Sequence, residues 1–243
     1  TGTFAAVAKT QEEGILLAVD EVNKAGGLNM PWGKVQVKSS VMDDEADINV
    51  GIRRFRYLRD QGVHAVVGQT WAAVALAINE LCKKDSFPYF PVNVAPLDSF
   101  KKGGLADCSF AAGYTPWTVG YMAASAAIND LGKKKIYFLG RSDSWGWDIK
   151  AGVETAAKEY GGTIIGSDEV AQGTSDFTTI LEKVKAAKPD VFISAQFGGD
   201  AVALLKQSYD MGLYKEMTIF NSFMTNVVAK GIPAEAREGL YAM

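Results

Sequence analysis

Histidine is almost absent from this chain, which carries a single one, His64, among 243 residues. A Ser-His-Asp triad would have to use it, yet it precedes a strand end on the side away from the strand-to-helix corners, so it reads as structural. Cysteine is nearly as scarce, and Cys82 and Cys108 are too few for a metal site or a disulfide framework. They either form one bridge, which would contribute about 3 kcal/mol, or stand as two small buried thiols. No G-x-G-x-x-G, Walker A, G-x-S-x-G or H-E-x-x-H pattern occurs. Asp43 and Asp44 lie where a dinucleotide enzyme keeps its ribose-binding acid, but without the glycine loop they are a turn. The chain is therefore expected to be no enzyme and to need no cofactor and no metal.

An excess of one charge is missing as well: 25 Lys and Arg face 28 Asp and Glu. The basic residues are scattered or in short runs such as Lys133-Lys134-Lys135, which argues against a nucleic-acid groove. Apolar runs are broken by charge or glycine well before the roughly 18 residues that a membrane span needs. No signal peptide is visible, although a mature secreted chain would have lost one. Proline, at seven residues, and serine build no linker between halves.

What is present is a long alternation of short β-branched runs with amphipathic helices. Thr10-Gln11-Glu12-Glu13 has capping-box spacing and predicts a helix start, with Ile15, Leu16, Val19 and Val22 on one face and Gly26-Gly27 as its stop. A strand is expected over 34–41, then a helix over 47–60 with Ile48, Ile52, Phe55 and Leu58 inward. Strand 63–67, helix 74–84, strand 88–92, a loop over 93–104 and a short strand at 108–111 follow. From Thr115 the expected order is helix to 130, strand 135–139, helix 146–160, strand 163–167, helix 177–187, strand 190–195, helix 201–211 and strand 217–221. A short helix near Val227 and a strand over 239–243 close the series. Strict alternation with short connections implies parallel, doubly wound sheets, because parallel neighbours need a crossover helix. Each side of 107–114 holds enough strands for its own sheet, which predicts lobes over 1–110 and 111–243.

In open α/β sheets, ligands bind beyond the carboxyl ends of the strands. Three corners there carry aromatic and polar residues: Gly68-Gln69-Thr70-Trp71-Ala72-Ala73, Arg141-Ser142-Asp143-Ser144-Trp145-Gly146-Trp147, and Phe197-Gly198-Gly199-Asp200. None holds a nucleophile with its base. The expectation is a protein that holds a small molecule without transforming it.

Several segments, in order, resemble the type I periplasmic solute-binding proteins of ABC importers, in particular the branched-chain amino acid binding (Leu/Ile/Val-binding) branch. They are Thr1-Gly2 and Gly14 with Ala18-Val19-Asp20-Glu21-Val22-Asn23-Lys24-Ala25-Gly26-Gly27, then Asp43-Asp44-Glu45-Ala46-Asp47, Val63-His64-Ala65-Val66-Val67-Gly68 and Ser144-Trp145-Gly146. Gly173-Thr174-Ser175-Asp176-Phe177 and Lys188-Pro189-Asp190-Val191 complete the set. The resemblance implies two Rossmann-like lobes closing on a solute, with the family's first strand and C-terminal third lacking here. It implies a periplasmic or extracellular protein, with or without a lipid anchor in full length, monomeric, that delivers a small-molecule solute to an ABC permease. A sensor or receptor domain of the same fold is the alternative, and a true branched-chain amino acid binder a second one.

Carried over residue by residue, the resemblance puts Ala72 and Ala95 where the family's carboxylate-binding hydroxyls stand and Ser222 where its ammonium-binding carboxylate stands. A buried ammonium without a counter-charge is costly, so the expected solute is a small carboxylate or an aromatic or apolar compound. Trp71, Tyr114, Trp117, Trp145 and Phe197 supply aromatic walls, while Gln69, Thr70 and Asn93 supply hydrogen bonds. Arg141 pairs with a ligand carboxylate, or lies at the surface or bridges to Asp143. Trp147 is expected to pack.

Overall fold

The computed structural model describes residues 5–92, 104–111 and 113–242, without the side chains of residues 6, 7 and 227. The expected sites Asn93 and Ala95 lie outside these residues. Helix α1 (Ala5–Lys24) runs through Thr10, so the capping-box start is corrected: the helix begins a turn and more earlier. Its stop is as read, with Gly26 and Gly27 both at φ 99° and Gly27 N donating to Val22 O at 2.9 Å. Strands β1 (Leu28–Met30) and β2 (Gly33–Val35) form an exposed antiparallel hairpin. The strand expected over 34–41 therefore ends at Val35, and beyond it Val37 takes both its hydrogen bonds from the Asn23 amide, at 2.8 Å each. A side chain replaces the ladder there.

Helix α2 (Ile48–Asp60) is capped by Asp47, which accepts from Val50 N, and buries Phe55 but leaves Ile48 exposed. Strand β3 (Val66–Gly68) pairs in parallel with β4 (Tyr89–Pro91), and a single bridge joins Tyr89 to Ser109 in place of the short strand expected at 108–111. Helix α3 (Ala72–Asp85) covers them through Val74, Ile78 and Cys82, packed with Phe55, Val66, Tyr89 and Ala106. Cys82 and Cys108 are both free thiols, the second of the two alternatives: Cys108 Sγ points at the Cys82 carbonyl, 3.7 Å away. Burial pushes the Cys82 thiol up to about 12.

The second half is built on β5 (Lys135–Arg141), β6 (Thr163–Val170), β7 (Val191–Ser194), β8 (Thr218–Asn221) and β9 (Leu240–Ala242). All pairs are parallel, in the order β6-β5-β7-β8-β9. Alternate side chains of β5 face opposite layers. Ile136 and Phe138 pack under α4 (Pro116–Ser125) and α5 (Ser144–Tyr160), while Tyr137 and Leu139 pack with α6 (Thr178–Ala187), α7 (Gly198–Asp210) and α8 (Asn226–Gly231). Helix α4 ends early, in a π-helical turn over Ala126–Asp130. It lies against α5 at backbone contact: a Cβ on Gly120 would sit 2.1 Å from Ile149 O, and one on Gly152 would sit 2.1 Å from Trp117 O.

Candidate ligand site

The chain winds outward from β5 in both directions, to β6 on one side and β7 on the other. That reversal opens a crevice between the carboxyl ends of β5 and β7. Trp145 fills its wall. Asp143 caps α5 by accepting from Gly146 N at 3.1 Å, which sets Trp145 in the first turn of the helix, 7% exposed. Its Nε1 donates to Ala195 O at 2.8 Å, tying the α5 start to the end of β7.

Phe197, the N-cap of α7, lies 6.1 Å from the Trp145 ring and packs against Trp71, Ala46 and Phe223. Trp71 is the N-cap of α3. The first-half corner before it is strained, with Gly68 at φ 137° and Gln69 at φ 71°. Ala72, 3% exposed, packs in the same cluster as Trp145, Ala195 and Phe220 of the second half. Side chains from both sheets thus meet in one aromatic cluster.

Ala46 reaches it from a tight turn in which Glu45 and Ala46 both have positive φ, held by Asp43 Oδ1 accepting from Glu45 N and Asp44 Oδ1 from Ala46 N. Tyr114 adjoins the cluster, its ring 5.5 Å from Phe223, and burial raises its hydroxyl above the ordinary tyrosine range.

Other expected residues are placed differently. Trp117 is not brought to the crevice: its helical phase on α4 stacks it on Tyr121, rings 5.0 Å apart. Arg141 is 2% exposed, and its guanidinium pairs with Asp143 and with Gln172 Oε1 at 3.1 Å. This is the bridge to Asp143 rather than an open fork at the crevice, because β5 continues through residue 141. Asp200 joins the same buried polar layer, accepting from Gly173 N at 2.8 Å, and burial raises its carboxyl. Gln69 Oε1 accepts from Tyr89 OH at 2.5 Å. Ser222 is fully buried just past β8, and its Oγ has no hydrogen-bond partner among the described residues. His64 is exposed, and Trp147, 54% exposed, donates to Glu169 rather than packing.

Two neighbours went unread in the sequence. Phe223 bears no motif beyond its place after a strand. Gln11 lies inside α1, where Thr70 Oγ1 donates to its Oε1 at 2.8 Å and its buried Nε2 has no partner among the described residues.

A family described as periplasmic binding protein matches residues 1–243, and the chain belongs to it. Among curated relatives, the Leu/Ile/Val-binding protein BraC3 of Rhizobium johnstonii is 23% identical over 212 residues, 87% of this chain and 56% of that protein. The chain thus spans little more than half of that relative's length. Among solved structures, the branched-chain amino acid binding protein LivJ of Streptococcus pneumoniae, in complex with isoleucine, superposes with a TM-score of 0.85 at 23% identity, over 100% of this chain and 67% of that one. A solute-binding protein of an ABC transporter from R. palustris, in complex with benzoate, gives 0.78 at 20% identity, over 96% and 63%. The fold is that of the type I periplasmic binding proteins, two Rossmann-like lobes with parallel sheets.

Proposed function

We propose that this chain is the solute-capturing part of an extracytoplasmic binding protein serving an ABC permease, and that its solute is a small planar carboxylate held between lobes at 1–110 and 111–243. The observation that carries this reading is the aromatic cluster of Trp71, Trp145 and Phe197, assembled from both halves at the strand-order reversal. Rings of this kind bury large area with few rotamers and suit a flat, apolar solute. On the second-half side the crevice meets Ser222, while Asp143 and Asp200 are engaged with Arg141, Gly146 and Gly173. Neither of these two carboxylates is left for an ammonium, whose desolvation without a counter-charge is costly. The first half offers donors for the solute's own carboxylate: the buried Gln11 Nε2 beside Thr70 and the first-turn amides of α3. Capture works by differential affinity, since a solute touching both walls favours the closed arrangement.

BraC3's name and the isoleucine held by LivJ favour a branched-chain amino acid, and the benzoate complex shows that this fold also takes an aromatic acid. The test is a thermal-shift screen of the full-length protein against benzoate, 4-hydroxybenzoate, isobutyrate, leucine and isoleucine. A raised Tm with the aromatic acids alone supports the proposal. A raised Tm with leucine or isoleucine alone overturns the solute class in favour of a branched-chain amino acid binder.

A further inference from the structure

Phe223 is the hub of the aromatic cluster. Its ring lies 5.1 Å from Phe197, 6.0 Å from Trp145 and 5.5 Å from Tyr114, so it touches the rings that cap α7, begin α5 and precede α4. The Trp145 contact is edge-on at 86°, while the Phe197 and Tyr114 contacts are tilted at 45° and 39°. Such a ring is bound on its sides and only half buried.

Its backbone is fixed from below. Asn221, the last residue of β8, is fully buried, and its Nδ2 donates to the Phe223 carbonyl at 2.7 Å. That bond turns the chain as it leaves the sheet. Between them Ser222 N donates to Ser194 O at 2.8 Å, extending the β7 ladder one residue beyond the strand. Residues 222–225 then run without regular structure until Thr225 caps α8. The backbone is anchored by hydrogen bonds, while the ring packs against other rings.

We infer that Phe223 is a specificity-determining residue of the crevice: its ring continues the wall formed by Trp145 and Phe197, which it touches, and it selects solutes that carry a flat ring over branched aliphatic ones. The inference rests on the proposed solute class. A ring solute gains from offset or edge-on contact with Phe223, and that directional gain is one an aliphatic side chain of similar area does not collect. Asn221 is a positioning residue that sets where the ring projects.

The experiment is calorimetric titration of the full-length protein, wild type, Phe223→Ala and Phe223→Tyr, with benzoate and with isobutyrate. The aromatic acid is expected to lose about tenfold or more in affinity on Phe223→Ala. Isobutyrate is expected to change about threefold or less, so that the benzoate-to-isobutyrate ratio falls, and Phe223→Tyr is expected to restore the ratio. Melting of each variant without solute separates a folding defect from a binding one, and Phe223→Tyr keeps the question open to decision if the alanine variant does not fold. Wild-type binding of benzoate with an unchanged ratio in Phe223→Ala overturns the role of Phe223 and leaves the solute class standing. Wild-type protein that binds leucine and no aromatic acid overturns both.

Discussion

Trp145 has two roles that substitution can separate. Its ring forms the crevice wall, and its indole N–H holds the end of β7 through Ala195 O. Trp145→Ala removes both and is expected to weaken solute binding by about 2 kcal/mol or more, as loss of a buried aromatic anchor does. Trp145→Phe keeps a ring and deletes the hydrogen bond, so it should bind better than Trp145→Ala while unfolding about 1 kcal/mol more easily in urea than wild type. Equal affinity of wild type and the folded alanine variant would take Trp145 out of the site. At this scale the sequence was informative for the aromatic residues of the three strand-to-helix corners. It put Trp71, Trp145 and Phe197 at strand-end corners, and the structure gathers the three. It expected Trp117 near the crossing, and the structure stacks that ring on Tyr121, one turn further along α4. It could not see Phe223 or Gln11, whose neighbours are distant in the chain and carry no local pattern.

Among the elements, α4 and α5 make the closest contact, and its tightness is a matter of two missing Cβ atoms. Gly152→Ala would drive a methyl into the Trp117 carbonyl, and the helices must part to admit it. The expected cost is about 3 kcal/mol, at the upper end for overpacking, read as a lowered midpoint in denaturant with an unchanged slope. Gly14→Ala is the control, since among the described residues nothing lies within 4 Å of a Cβ at that position in α1. It should be neutral or stabilise by up to about 1 kcal/mol. If both substitutions cost the same, the helix contact is looser than described. Helix and strand order in the second half was legible because α5, α6 and α7 bury periodic apolar faces and β5 and β7 are nearly continuous buried apolar runs. The first half was less so: the alternation over 34–41 looks half-buried, yet β2 is exposed on both sides and Asn23 takes over from a neighbouring strand.

For the whole molecule, the strand order decides where a solute can sit. Strict alternation of strands and helices foretold parallel sheets, but nothing local in the chain says that β6 and β7 flank β5. That arrangement sets the crevice between β5 and β7, and it also buries Arg141 beneath it with Asp143 and Gln172 rather than leaving it open. The backbone contact between α4 and α5 has a mechanical consequence. The segment entering the second sheet passes through Tyr114 straight into α4, and α4 is locked to the helix that begins with Trp145. The entry segment and the crevice wall therefore turn together, like the arm and pin of a crank, while α3 with Trp71 and Ala72 rides on the other sheet. A pair of spin labels on the outer faces of α4 and α5 should keep its separation when solute is added, and a pair on α3 and α5 should draw closer. The site would then close by bringing Trp71 to a wall that is already set, so that solute binding spends its free energy on moving one half and none on shaping the other.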